Sequence, residues 1–164
     1  MPKRGLKLPK KRTFKAPASL IRRFVSYGID FFIINIIVSP LESVLTRAIP
    51  ANLGIWERAE FLRSDIFATK LTIYITFLVG AITVLYFTYF EYKMQQTPGK
   101  MLMKNFIVPE KKKTLTFWSY LISNITFAFF ILWVLDLIYM IFSPKNQRFM
   151  EKLTKILTMQ KYEV

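Results

Sequence analysis

Two acidic residues lie inside long apolar runs, where carboxylates are rare. Asp30 interrupts FVSYGIDFFIINIIVSP (24–40), and Asp136 interrupts FWSYLISNITFAFFILWVLDLIYMIF (117–142). A carboxylate at the centre of a membrane helix costs about 2.5–3.5 kcal/mol on insertion scales, so it needs a polar partner or a function. Three explanations are open: pairing with Arg or Lys that holds helices together, an ion or proton pathway, and a surface that binds a partner.

The residue types that are missing exclude several kinds of chemistry. The 164-residue chain has no cysteine and no histidine, which excludes a disulfide, a thiolate nucleophile, a Cys/His zinc site and a histidine base. The run TPGK (97–100) lacks the Gly-rich loop and Lys-Ser/Thr ending of a phosphate-binding loop. Its composition is typical of a turn, with Pro98 second and Gly99 third. We therefore expect no enzymatic activity, no cofactor and no metal.

Hydrophobic helices have to position these acids. The segment LTIYITFLVGAITVLYFTYF (71–90) has 20 residues and no charge, which is the length that crosses a bilayer. Together with 24–40 and 117–142, it predicts an all-α membrane protein, a small bundle of three hydrophobic helical segments. The predicted organisation is a flexible basic arm over 1–17, a transmembrane domain over 18–160 and a tail over 161–164.

The distribution of basic residues predicts the orientation in the membrane. Nine Lys and Arg precede Phe24, four lie in 41–70, six in 91–116 and five in 143–164. Cytoplasmic flanks carry the excess of Lys and Arg. The N-terminal arm and the second loop are therefore expected in the cytoplasm, in a multi-pass protein of the cell membrane.

The third segment allows two topologies. Its 26 residues reach about 39 Å as a helix, enough for one tilted span but not for two full spans. A single crossing is the simpler structure, but it places the basic tail outside. A bent or re-entrant hairpin keeps the tail in the cytoplasm, puts Asp30 and Asp136 at matching depth, and frees the extended runs 106–109 and 155–159 to pair.

Polar residues recur on one face of each of the first two helices. At about 100° per residue, Arg23, Ser26, Tyr27 and Asp30 share a face. The second helix carries a stripe of small and polar residues that would let another helix approach closely; it contains Thr72, Thr76, Gly80 and Thr83. A polar groove assembled from such faces would hold Arg23, Asp30, Glu91 and Asp136.

Two clusters of basic residues are candidates for contact with anionic lipid, where each residue contributes about 1 kcal/mol. They are Lys10, Lys11 and Arg12 in the arm and Lys111, Lys112 and Lys113 in the second loop. The expected partners are therefore the lipid bilayer, with anionic lipid in particular, and a second copy or another membrane protein. Nucleic acid is not expected, because the arm leads directly into an apolar segment.

Three blocks of the sequence resemble the RDD family of small membrane proteins. They are ASLIRRFVSYGIDFFI (18–33), YFEYKMQQTPGKMLMKNFIV (89–108) and SPKNQRFMEKLTKILTM (143–159). The resemblance implies that Arg23 and Asp30 are the arginine and the first aspartate of the family, and that Thr97, Pro98, Gly99 and Lys100 form its motif loop. The second family aspartate corresponds either to Asp136 or to Glu151, which replaces it in the C-terminal block.

The resemblance also implies a function. Family members are commonly suspected of transport, and some are linked to cation/proton antiport, whereas others look like accessory subunits of membrane complexes. We therefore expect a transporter or a cation/proton exchanger that uses intramembrane carboxylates. The alternative is a non-catalytic accessory or assembly subunit that binds other membrane proteins or anionic lipid.

Overall fold

The computed structural model describes residues 13–50, 52–110 and 114–163. Within these ranges the chain forms seven α-helices, one 3-10 helix and three β-strands. In chain order they are β1 (Thr13–Pro17), α1 (Leu20–Ala48), α2 (Ile55–Ser64), α3 (Ile66–Met94), α4 (Pro98–Leu102), β2 (Asn105–Pro109), α5 (Phe117–Asn124), the 3-10 helix (Ile125–Ala128), α6 (Phe130–Phe142), α7 (Phe149–Thr154) and β3 (Ile156–Glu163).

Two helices, α1 and α3, are long and apolar enough to cross a membrane. Each has 29 residues and therefore extends about 43 Å, somewhat more than the hydrocarbon thickness. Asp65 begins α3 as its N-cap, since its Oδ1 accepts the backbone N–H groups of Phe67 and Ala68 at 2.9 and 3.0 Å. Such a cap satisfies donors that the first helical turn leaves open.

The third apolar segment is broken. The helical stretches Phe117–Ala128 and Phe130–Phe142 are bent by 111° at Phe129. The bend packs against Gly80 of α3: a Cβ built on Gly80 would lie 3.2 Å from the carbonyl oxygen of Ala128. Gly80 therefore permits the close approach of another helix that its stripe of small and polar residues, now seen to lie on α3, predicts.

A three-stranded antiparallel sheet shows where the broken segment ends. The strand order is β1-β3-β2, with Pro17 opposite Met159 and Phe106 opposite the same Met159. Because β2 precedes α5 and β3 follows α6, the segment enters and leaves the bundle at the same end. A single crossing would separate these strands by about the thickness of the bilayer, so the structure has the hairpin topology.

The sheet corrects the prediction of an all-α fold, because strand pairing satisfies the backbone of the segments that flank the helices. Thr13–Pro17, within the predicted arm, is an edge strand, and residues 161–163 of the predicted tail belong to β3. Residues 1–12, 51, 111–113 and 164 lie outside the described residues, and with them Lys10, Lys11, Arg12, Lys111, Lys112 and Lys113.

Aromatic side chains form the centre of the bundle. Phe87 and Phe127 stack with ring centroids 4.1 Å apart. Phe31 makes edge-to-face contacts with both rings and with Trp133. This aromatic layer separates two regions: a cluster of charged residues towards the sheet, and a cavity towards the 49–65 connection.

Candidate functional site

Asp30 is a completely buried carboxylate that receives three hydrogen bonds from neutral groups. The Thr97 hydroxyl donates to its Oδ2 at 2.5 Å. The Gly99 N–H and the Tyr86 hydroxyl donate to its Oδ1 at 2.8 and 3.1 Å. Among the residues that the structure describes, no basic side chain forms an ion pair with Asp30.

The loop 97–100 is built around Asp30. Thr97 is the N-cap of α4, and its Oγ1 accepts the N–H of Lys100 at 3.3 Å. Pro98 and Gly99 are thus the first residues of a short helix rather than the centre of a turn. A Cβ on Gly99 would lie 2.1 Å from the carbonyl oxygen of Ser26 and 2.9 Å from Asp30, so α4 packs directly against α1 only because residue 99 is glycine.

A second group of contacts joins α3, α4 and α5. The ammonium group of Lys100 lies 2.5 Å from Oε1 of Glu91. The amide of Asn124 donates to the other oxygen of Glu91 at 2.7 Å. Lys100 and Glu91 are each 1% exposed, so water does not screen the attraction between their charges. The ion pair therefore holds the loop 97–100 against the end of α3.

Arg148 is the centre of a third group. Its Nε donates to Oε1 of Glu151 at 3.2 Å, its Nη2 donates to Oδ1 of Asn124 at 3.1 Å, and its Nη1 lies 3.8 Å from Oδ2 of Asp136. The guanidinium also lies over the ring of Phe127, with its carbon 4.6 Å from the ring centroid. One side chain therefore connects α5, α6 and α7.

Arg23 completes the network from α1. Its Nη2 donates to Glu151 and, at 3.0 Å, to the hydroxyl of Tyr27. Its Nη1 donates to the carbonyl oxygen of Asn146. Glu151 thus lies between two guanidinium groups, Arg23 and Arg148.

The two guanidinium groups decide the ionisation of Glu151. Burial alone would raise its pKa, but the charges of Arg23 and Arg148 outweigh burial and lower the pKa to about 2. The pKa of Arg148 is shifted in the opposite direction: burial lowers it, but the facing Tyr27, Glu151 and Asp136 raise it above its ordinary value. Both groups therefore keep their charges throughout the physiological pH range.

Asp136 is held by neutral donors as well as by Arg148. The Thr126 hydroxyl donates to Oδ2 at 3.1 Å, and the Met150 N–H donates to Oδ1 at 3.2 Å. Glu151 and Asp136 therefore share one guanidinium, and Glu151 makes the closer contact with it. Both candidates for the second family aspartate belong to the same cluster.

The structure brings together the four residues predicted for the polar groove and Glu151, the candidate for the second family aspartate. Arg23, Asp30, Glu91, Asp136 and Glu151 are all at most 3% exposed and lie at the sheet end of the bundle. The stripe on α3 lies farther along that helix, towards the other end. The hydroxyls of Thr72 and Thr83 donate to carbonyls of their own helix, Ala68 and Val79, so these two do not bond across to another helix.

Sequence reasoning missed three residues of the site. They are Arg148, which stands in the C-terminal block that resembles the family, Asn124 in the third apolar segment, and Tyr86 near the end of the second. Their roles depend on the bend at Phe129 and on the position of the loop 97–100.

In the part of the chain that the structure describes, the acids are not grouped as metal ligands. Within 13–50, 52–110 and 114–163, no group of three or more carboxylates is arranged to hold a metal ion. Glu91, Asp136 and Glu151 each already form an ion pair with a basic side chain.

The RDD family model matches residues 17–155. The chain belongs to the RDD family. No curated protein and no solved structure matches it. The match includes every member of the charged cluster in this RDD protein, from Arg23 on α1 to Glu151 on α7.

Proposed function

We propose that this RDD protein is an ion exchanger of the cell membrane in which Asp30 carries the exchanged proton or monovalent cation. The observation that supports the proposal is the contrast among the buried acids. Glu91, Asp136 and Glu151 form ion pairs with basic side chains, whereas Asp30 accepts hydrogen bonds from hydroxyl and N–H donors. The charge of Lys100 acts on Asp30 only from beyond ion-pair distance, because Lys100 is paired with Glu91. A buried carboxylate without a directly paired counter-charge is costly. Asp30 is therefore the acid that gains most from taking up a proton or cation.

The surroundings of Asp30 suit both of its protonation states. When Asp30 is ionised, Thr97 donates to Oδ2. When Oδ2 carries a proton, the carboxylic acid can donate to Thr97 Oγ1, because a hydroxyl both donates and accepts. Gly99 and Tyr86 continue to donate to Oδ1 in either state, so the proton can be exchanged without dismantling the loop.

The proposed orientation places the sheet in the cytoplasm. It rests on the excess of Lys and Arg in the segments that flank the sheet. Cysteines introduced at Lys145 and Lys161, both exposed, would report the side of the C-terminal strand in this cysteine-free chain. An impermeant thiol reagent added to intact cells should leave both unlabelled, and labelling from outside would contradict the orientation.

The exchange function is tested by flux in proteoliposomes. Under a pH gradient, addition of Na⁺ or K⁺ should dissipate the gradient with unmodified protein. Asp30→Asn preserves the shape of the side chain and should abolish flux, while gel filtration and helical content stay normal. Glu60→Gln, the same chemical change at an exposed residue of α2, is the matched control and should leave flux intact. Full flux in well-folded Asp30→Asn would contradict the assignment.

One observation favours an accessory role as a second candidate. A groove of about 720 Å³ between α3 and the α5–3-10 segment is lined almost entirely by apolar residues, among them Ile73, Phe77 and Phe129. Such a groove suits a helix of another membrane protein. Absence of flux with monovalent cations, both inorganic and organic, together with a co-purifying subunit, would favour this role. For exchange we expect a homo-oligomer, since two or three spans barely enclose a pathway.

A further inference from the structure

A second cavity lies on the opposite side of the aromatic layer from the charged cluster. Its volume is about 440 Å³, and α1, α3 and the α6 end of the broken segment form its walls. Ligand-binding cavities for small molecules fall in the range of about 300–1,000 Å³. Glu42 lies 12 residues beyond Asp30 on α1, about 18 Å along the helix axis, so the cavity extends away from the sheet.

The lining of this cavity has a clear chemical character. Its walls are mostly apolar and include four aromatic side chains: Phe31, Phe127, Phe130 and Trp133. Glu42 is the one charged residue among the described residues that line it, and the remaining polar groups are neutral. Aromatic faces attract cations, and Glu42, which is exposed at the rim of the cavity, adds a negative charge.

Two polar groups of the lining have capacity for a ligand. The indole Nε1 of Trp133 is buried without a hydrogen-bond partner in the part of the chain that the structure describes. Asn35 is exposed along a helix that is otherwise apolar around it, which is unfavourable against lipid. Both observations indicate that this cavity receives a polar or charged molecule rather than acyl chains alone.

We propose that the cavity binds an organic monocation with an apolar body. The body would lie against Phe31, Phe130 and Trp133, and the positive charge would be balanced by Glu42. An organic anion would meet the Glu42 carboxylate and the negative faces of the rings. A small hydrated metal ion would find one carboxylate where a binding site needs several oxygen ligands.

The proposal rests on the exchange function and names its substrate class. Phe31 directly follows Asp30 on α1, so it contacts the cavity while its neighbour contacts the loop 97–100. Protonation of Asp30 would therefore affect the same turn of α1 that carries Phe31, one of the aromatic residues lining the cavity. Import of protons through Asp30 would then be exchanged for export of the organic cation.

Binding can be measured with tetraphenylphosphonium and its charge-reversed isostere, tetraphenylborate. Trp56 and Trp118 are 84% and 66% exposed, so Trp56→Phe and Trp118→Phe leave Trp133 as the only tryptophan without disturbing the core. In lipid nanodiscs, tetraphenylphosphonium should quench the fluorescence of Trp133 saturably, with empty nanodiscs as the blank. Tetraphenylborate should give no saturable quenching.

Variants of the protein distinguish binding of the probe in this cavity from its partitioning into the bilayer. Glu42→Gln should weaken tetraphenylphosphonium binding at least about tenfold, equivalent to about 1.4 kcal/mol, and Glu60→Gln should leave it unchanged. Equal saturable binding of both probes, or unchanged affinity in Glu42→Gln, would overturn the proposal and identify a groove for lipid. Because binding is measured without a gradient, its failure leaves the Asp30 flux test intact, and loss of the Asp30 role leaves a binding result standing.

Discussion

Two of the most deeply buried carboxylates in the charged cluster, Asp30 and Glu151, have opposite surroundings. Both are at most 1% exposed. Glu151 lies between two guanidinium groups, whereas Asp30 is held by two hydroxyls and one backbone N–H. Burial by itself therefore does not assign a function to an acid in a membrane protein; its partners do.

The difference divides the cluster into a fixed part and an exchangeable part. Removal of either member of a buried ion pair leaves a bare charge, so the pairs of Glu151 and Glu91 fasten α1, α3, α4 and α7 together. Hydrogen bonds from neutral donors hold a carboxylate in place but do not compel it to stay ionised. In the exchange function that we propose, Asp30 is the position at which the charge of the cluster changes.

The largest effect is expected at Arg148. Arg148→Met removes the cation that serves Glu151 and Asp136 together, and breaking a buried pair typically costs about 3–5 kcal/mol. The thermal midpoint in detergent should fall steeply, with loss of monodisperse protein. Lys145→Met, which breaks the exposed pair with Glu110, is the control and should change stability by less than about 1 kcal/mol. A midpoint equal to that of the control would contradict the role of Arg148.

Acid should weaken the fixed part of the cluster. The pKa of Glu151 is lowered from 4.5 to about 2 in the folded protein. Its contribution is therefore complete above about pH 4.5 and is lost as pH falls towards 2, a change of roughly 3 kcal/mol. Thermal midpoints measured over this window should decline more steeply for unmodified protein than for Glu151→Gln. Parallel curves would show that Glu151 is not stabilised by the two arginines.

A pair of glycines tests how tightly the loop 97–100 is held against Asp30. In Gly99→Ala the new methyl group meets Ser26 and Asp30, and overpacking of this kind typically costs about 1–3 kcal/mol. Gly28→Ala, two residues from Asp30 on the same helix, meets no atom within 4 Å. It should be neutral or stabilise α1 by up to about 1 kcal/mol. Equal thermal midpoints for the two variants would contradict the packing.

The smallest effect on stability is expected at Asp30 itself. In Asp30→Asn the amide oxygen can still accept from Gly99, and the amide nitrogen can donate to Thr97. We expect the free energy of unfolding to change by less than about 1 kcal/mol, in contrast to Arg148→Met. A loss as large as that of Arg148→Met would place Asp30 in the fixed part of the cluster.

The sequence predicts much of the site because the chemistry of the membrane is restrictive. Asp30 and Asp136 stand out in apolar runs, and the spacing of Arg23, Tyr27 and Asp30 puts them on one face of a helix. The positive charges of 143–164 and the matching depth of the two aspartates point to the hairpin, but on grounds of simplicity the sequence favours a single crossing, which the structure does not have. The bend at Phe129 could not be predicted, because no proline or glycine stands beside it in the sequence.

The remaining features depend on contacts between distant segments. Arg148 is one of many basic residues, and only the return of α6 to the sheet end brings it to Asp136 and Glu151. The strand Thr13–Pro17 follows a basic, proline-containing stretch that resembles a flexible arm, but pairing with β3 overrides that local tendency. The cavity beside Glu42 likewise exists only because the broken segment stops short of the far end of α1.

The most direct test of the division is the protonation of Asp30 in the reconstituted protein. Infrared difference spectra between acid and alkaline pH detect the carbonyl band of a protonated carboxyl group. We predict one band that titrates over the pH range in which flux changes, that is absent in Asp30→Asn, and that persists in Glu60→Gln. Identical difference spectra for unmodified protein and Asp30→Asn would show that Asp30 does not exchange a proton, and would contradict the central claim.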